Sequence, residues 1–119
     1  MDTIEIETVI VGAGQAGLAT GYHLQRRGRP FVILDAASRV GDSWRRQWDT
    51  LALYSPAQYD SLPGLPFPAR RWTFPGKDAV ADYLETYAEH FDLPVALQTR
   101  VQRLQRTGDR YVATTDRGR

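Results

Sequence analysis

The stretch VIVGAGQAGLATGYHLQRRGRPFVILDA, residues 9 to 36, decides the fold. It ends an alternating run from Ile4 with the fully apolar Val9, Ile10 and Val11, as a parallel strand covered on both faces does. Gly12 to Gly17 breaks that run. Leu18 to Arg27 has the pattern of a helix, and Gly28 is placed to end it. Phe31 to Leu34 is a second short apolar strand. Strand, tight turn, helix and strand within about 30 residues make a βαβ unit, whose crossover is expected to be right-handed.

Gly12, Gly14 and Gly17 form G-x-G-x-x-G after a strand and at the mouth of a helix. The first glycine permits the tight turn, the second lets backbone approach a pyrophosphate, and the third lets helix and strand pack closely. The helix N-terminus then presents free N–H groups and a partial positive charge to phosphates. Gly21 keeps the next turn of the helix close to the strand. Asp35 ends the second strand, 23 residues after Gly12, where a carboxylate hydrogen-bonds a ribose diol. Ala36 follows it, not arginine, so nothing is placed for a 2′-phosphate. The turn suits the adenosine half of FAD or NAD rather than NADP.

Outward from this unit the chain changes character. Six of its seven prolines lie between Pro56 and Pro94, and SPAQYDSLPGLPFP is not a regular element. Residues 36–76 nevertheless carry Trp44, Trp48, Tyr54, Tyr59, Phe67, Trp72 and Phe74. So much aromatic surface points to an ordered excursion rather than a linker. Lys77 to Phe91 returns to helical periodicity, with Asp78 as a possible N-cap, Tyr83 and Tyr87 packed with one edge wet, and Asp78, Asp82, Glu85 and Glu89 on a solvated face. Residues 93–97 (LPVAL) form a third strand. Arg100 to Leu104 and Arg110 to Thr115 flank Gly108-Asp109 as a β-hairpin.

Composition sets the outer bounds. The 119 residues fit one domain, with 42% hydrophobic and 24% charged residues. A net charge of +1 and no run of like charge offer nothing to nucleic acid. The absence of cysteine removes disulfides and thiolate chemistry. Three acids among the first seven residues do not make a signal peptide, and no apolar run approaches the ~20 residues that span a bilayer. A cytoplasmic protein without membrane partners is expected. His23 and His90 stand alone on their helices with no acid or nucleophile partner and read as surface or packing residues, and neither a metal site nor an acid–base pair follows from Asp78, Asp82, Glu85 and Glu89.

FAD is separated from NAD by what comes after Asp35. A plain NAD domain runs quickly into another helix and strand; here the aromatic, proline-rich excursion intervenes. The segments VIVGAGQAGLATGYHL, LDAASRVGDSWRRQWDTLALYSPAQYDSLPGLPFP and FPGKDAVADYLETYAEHFDLPV resemble the N-terminal part of the flavin-containing monooxygenase-like oxidoreductases, the class B flavoprotein monooxygenase group. Gly41-Asp42-Ser43-Trp44 stands where that family commonly has Gly-Gly-x-Trp, with the second glycine replaced. The resemblance implies an α/β fold: a Rossmann-like βαβ FAD-binding domain of three parallel strands with a β-hairpin, a single but incomplete domain over residues 1–119. It further implies that Gly12, Gly14 and Gly17, with the backbone of Gln15 and Ala16, hold the FAD pyrophosphate, and that Asp35 holds the adenosine ribose. Arg39, Ser43 and Trp44 would lie along the cofactor, with Trp44 near the flavin end. The backbone of Val101 would contact the adenine edge, and residues 51–55 would pass the isoalloxazine ring.

The resemblance covers about the first third of the family's chain. Members continue with an Ala-Thr-Gly type strand end, a second G-x-G-x-x-G for NADPH and a Phe-x-Gly-x-x-x-His linker, none of which occurs in these residues. NADPH, the family's co-substrate, therefore has no expected site here, and no catalytic or metal-binding residue can be named. In a doubly wound sheet of order 3-2-1-4 the fourth strand would be missing, which leaves the first strand with a bare edge and invites self-association or a complementary chain. The expected function is the FAD-binding segment of a flavin-dependent, NADPH-linked monooxygenase-like oxidoreductase, not catalytically complete alone. A non-enzymatic adenine-dinucleotide module and an inactive fragment remain as alternatives.

Overall fold

In the computed structural model, which describes residues 4–70 and 72–116, β1 (Thr8–Val11) lies parallel to β2 (Phe31–Leu34), with Thr8 opposite Phe31 and Val11 opposite Leu34. The connection is α1 (Gln15–Arg26). β3 (Val95–Ala96) pairs in parallel with the other side of β2, so the order is β1-β2-β3 and β2 is central. Between β2 and β3 run α2 (Asp42–Arg45), a single 3-10 turn (Ala57–Tyr59) and α3 (Lys77–His90). β4 (Val101–Thr107) and β5 (Arg110–Thr115) form a separate antiparallel hairpin. The ends of the 1–119 domain range lie outside the described residues.

Boundaries differ from the sequence expectation for local reasons. α1 begins three residues earlier than Leu18, because the Leu18 amide already reaches Gly14 O at 2.9 Å. β4 extends to Thr107 because the two-residue turn at Gly108-Asp109 lets pairing run to its tip, Thr107 opposite Arg110. α3 is capped by Gly76 rather than Asp78. The extended backbone of Gly76 accepts the Val80 amide at 3.1 Å, which leaves Asp78 inside the first turn, where a carboxylate favours the helix dipole.

The core forms where α1 and α3 meet the sheet. Leu18, Ile33, Leu84 and Tyr87 are fully buried. A Cβ on Gly21 would stand 3.0 Å from Ile33 Cδ1 and 3.1 Å from the Phe31 ring, so α1 sits as close to β2 as a glycine permits. Truncating Leu18 or Leu84 to alanine should cost about 2–5 kcal/mol. β1, expected to be covered on both faces, is covered on one. Ile10 packs on the core, whereas Val9 and Val11 are 40% and 59% exposed.

The excursion is clamped to α3 by two tyrosines whose hydroxyls are not wet. Tyr83 Oη donates to Leu65 O at 2.6 Å and accepts from the Leu62 amide at 2.7 Å; Tyr87 Oη donates to Pro63 O at 2.5 Å. Burial raises both phenol pKa values, and for Tyr83 the Leu62 amide works the other way. Proline-rich backbone lacks ladder partners, and these hydroxyls supply them. Gly41 holds φ +91° against Ala81 of α3, where a Cβ would lie 2.6 Å from a backbone oxygen. Phe67 is buried and Trp44 half-buried, but Trp48, Tyr54, Trp72 and Phe74 remain exposed; the Tyr59 ring lies outside the described residues.

Candidate cofactor site

The glycine-rich turn leaves β1 at Gly12, whose amide continues the strand pairing to Leu34 O at 2.7 Å. Its φ of +101° is a conformation that favours glycine. Gly17 is required sterically, since a Cβ there would lie 1.9 Å from Gly12 O. Gly14, by contrast, faces open space: nothing lies within 4 Å of a Cβ built on it. It is the N-cap of α1 and supplies no side-chain hydrogen bond, and the first turn of the helix contains no acid. The amides of Gln15, Ala16 and Gly17 precede the first intrahelical bond, so they are donors without a carbonyl in their own helix. Open approach, free donors and a positive helix end together form a cradle for a phosphate group.

Asp35 stands directly beside this turn. Its Oδ2 accepts the Ala13 amide at 2.7 Å and its Oδ1 accepts the Ala37 amide at 2.9 Å. A carboxylate offers about four acceptor positions, so half remain for a diol. The start of the hairpin is drawn to the same place. Thr99 N reaches Asp35 O at 2.8 Å, Gln98 N reaches Ala37 O at 2.8 Å, and Val101, half-buried, follows two residues on. Asp35, the turn and the beginning of β4 are thus brought together.

The residues of the Gly41–Trp44 loop are held differently. Arg39 forms a two-pronged ion pair with Glu85 of α3, at 2.7 and 2.8 Å. Arg45 reaches Glu85 at 3.5 Å, and both Asp42 and Asp82 at 3.2 Å. Glu85 is therefore a half-buried ion-pair partner rather than part of a solvated face. The hydrogen bond from Arg39 holds its carboxyl below the usual range against the opposing effect of burial, and raises the Arg39 guanidinium in turn. At Asp42 burial acts upward, and hydrogen bonds from Ser38 and Arg45 overcome it. Ser43 is exposed, Trp44 packs partly on the core, and Trp48 is too exposed to anchor it.

Beyond Gln15 the turn opens into a cavity of about 260 Å³. Leu53, Leu62, Phe67 and Val80 give it apolar walls, while Ser55, Asp60 and Ser61 supply polar groups. Leu53 and Ser55 belong to the segment expected beside the cofactor. Asp60 and Ser61 carried no sequence signal, because they sit between prolines in a stretch without periodicity. Among the described residues no group of three or more His, Asp or Glu could hold a metal ion. The Asp35 carboxylate, the free amides at the start of α1 and the mixed-polarity cavity beyond Gln15 follow one another in that order, an arrangement that fits a dinucleotide.

Comparison with known proteins gives the same direction. The profile of the pyridine nucleotide-disulphide oxidoreductase family matches residues 9–119. An uncharacterized CzcO-like oxidoreductase of Geobacillus kaustophilus is 41% identical over 113 residues, 95% of this chain and 32% of its own length. The probable indole-3-pyruvate monooxygenase YUCCA7 of Arabidopsis thaliana is 45% identical over 95 residues, 79% of this chain and 22% of its own. The flavin-containing monooxygenase of Stenotrophomonas maltophilia superposes with a TM-score of 0.88 at 40% identity, over 96% of this chain and 34% of its own. The chain thus spans about a third of the length of the CzcO-like oxidoreductase and of the flavin-containing monooxygenase that it matches.

Proposed function

The chain belongs to the pyridine nucleotide-disulphide oxidoreductase family, and from that premise we propose that it is the FAD-binding segment of a flavin-dependent, NADPH-linked monooxygenase-like oxidoreductase. The observation that carries this reading is the junction of the turn with Asp35, where free helix amides and a half-engaged carboxylate stand side by side. The amides of Gln15, Ala16 and Gly17 bind the pyrophosphate, Asp35 takes the adenosine ribose, and the start of β4 at Val101 borders the adenine. The cavity beyond Gln15 receives the flavin end, with the clamped excursion excluding water from it. Arg39, Ser43 and Trp44 lie along the cofactor, with Trp44 near the flavin end.

Bound FAD would supply hydride acceptance from NADPH and, once reduced, oxygen activation. The residues of this chain contribute binding, orientation and water exclusion. No helix among the described residues is long and apolar enough to cross a membrane, and we place the protein in the cytoplasm. The apolar edge and outer face of β1 suit a second copy or a complementary chain.

Ligand selectivity tests the reading. Titration of the chain with FAD, NAD and NADP, followed by flavin or tryptophan fluorescence, should give saturable binding of FAD at concentrations where NADP does not bind. NADP bound as tightly as FAD would overturn it.

A further inference from the structure

On the cofactor reading above, we propose that Asp60 grips the non-adenosine half of the dinucleotide, its Oδ2 accepting a hydrogen bond from a ribityl hydroxyl or the ring imide N–H. Asp60 Oδ2 is buried, and no donor reaches it among the described residues. A buried carboxylate oxygen without a donor is costly, and native structures seldom tolerate one without a functional reason. The other oxygen, Oδ1, accepts the Ser55 hydroxyl, and the Asp60 amide closes the 3-10 turn onto Ala57 O at 3.1 Å. The carboxylate is therefore fixed in orientation, with one oxygen engaged and one left over.

Asp60 lines the cavity that starts at Gln15, the first residue of α1. A dinucleotide whose pyrophosphate rests on the α1 amides, with its adenosine toward Asp35, sends its remaining half into this cavity. No lysine, arginine or histidine lines it, and Asp60 is its only carboxylate among the described residues. A protein cation to neutralise Asp60 is absent from the lining, and a metal ion would lack a second charged ligand. What suits the oxygen is a neutral donor carried by a ligand that is otherwise apolar enough to lie against Leu53, Phe67 and Val80.

The test is a pair of titrations of the 119-residue chain, one with FAD and one with ADP, on the wild type, Asp60→Ala and Asp60→Asn. Circular dichroism and thermal unfolding establish that each variant folds. A hydrogen bond to a charged acceptor corresponds to about a tenfold loss of affinity or more. Asp60→Ala should therefore weaken FAD about tenfold or more and leave ADP unchanged. Asp60→Asn keeps the shape without the charge, and should weaken FAD about threefold or more with ADP again unchanged. FAD methylated at the ring N3 then identifies the donor: the Asp60→Ala effect disappears with this ligand if the imide is the partner, and persists if a ribityl hydroxyl is. Unchanged FAD affinity in both variants overturns the role of Asp60 while leaving the cofactor reading intact. Parallel losses for FAD and ADP overturn it as well, by showing a structural effect on the turn. If the folded wild type binds ADP but not FAD, both the role and the cofactor reading fall.

Discussion

Asp35 and Ala13, 22 residues apart in the chain, are joined by a hydrogen bond of 2.7 Å from the Ala13 amide to Asp35 Oδ2. The carboxylate at the end of β2 thus fixes the turn that follows β1 and remains available to a ligand. Asp35→Ala leaves the Ala13 and Ala37 amides, both partly buried, without their acceptor. Chemical denaturation should show a loss of about 1–3 kcal/mol, with an unchanged dependence on denaturant. A stability equal to wild type would mean that water replaces the carboxylate without cost.

Gly14 and Gly17 separate folding from binding. An alanine at Gly17 drives its Cβ into Gly12 O at a built distance of 1.9 Å, so Gly17→Ala should lower stability by about 1–3 kcal/mol or more. An alanine at Gly14 meets nothing within 4 Å. Gly14→Ala should therefore melt within a few degrees of wild type yet lose most of its affinity for a dinucleotide, because the methyl group occupies the path of the phosphates. Comparing melting temperature with binding constant for each variant distinguishes these outcomes.

The tyrosine clamps make a third prediction. Tyr87→Phe strands the Pro63 carbonyl, and Tyr83→Phe strands both Leu62 N and Leu65 O. Each should cost about 1–3 kcal/mol, Tyr83→Phe the more, and both should speed proteolytic cleavage within residues 36–76 relative to the rest of the chain. Unchanged cleavage would show that the excursion is held by its apolar contacts alone.

Acid should weaken the same region. The Glu85 carboxyl is held below its usual range by Arg39, and that of Asp42 by Ser38 and Arg45, so their contribution to stability is present above the unfolded carboxylate values near ~4. It is lost as pH falls through the folded values. The stability difference between wild type and Glu85→Gln should be constant above about pH 5 and shrink as the pH drops below 4. A difference that grows toward acid would contradict the sign.

The βαβ unit was legible because each of its signals is local: a glycine spacing, an apolar run, an acid at the end of a strand. Asp35 could be named for a ribose, but its bond to Ala13 belongs to the closed turn and has no trace in spacing. The attachment of the excursion to α3 was hidden for a related reason. Tyr83 and Tyr87 find backbone carbonyls and amides, which every residue possesses, so no partner residue type announces them. Glu85 looked solvated because helical periodicity assigns a face, while the Arg39 and Arg45 that cover that face arrive from a segment 40 or more residues away. β1 read as covered twice because its composition suits two faces, and the described residues cover one.

That uncovered face yields a prediction about assembly. Val9 and Val11 are exposed on a strand that pairs with β2 alone among the described residues. The chain should associate as concentration rises, and Val9→Lys with Val11→Lys should suppress this. Sedimentation showing a monomer at all concentrations would remove the edge as an association site.

The cofactor reading itself is tested most directly by equilibrium titration with FAD of the wild type and of Asp35→Ala, each first shown to be folded. Saturable binding by the wild type, weakened about tenfold or more by the substitution, is the predicted result. Absence of binding by the folded wild type, or equal affinity in the two proteins, would contradict it.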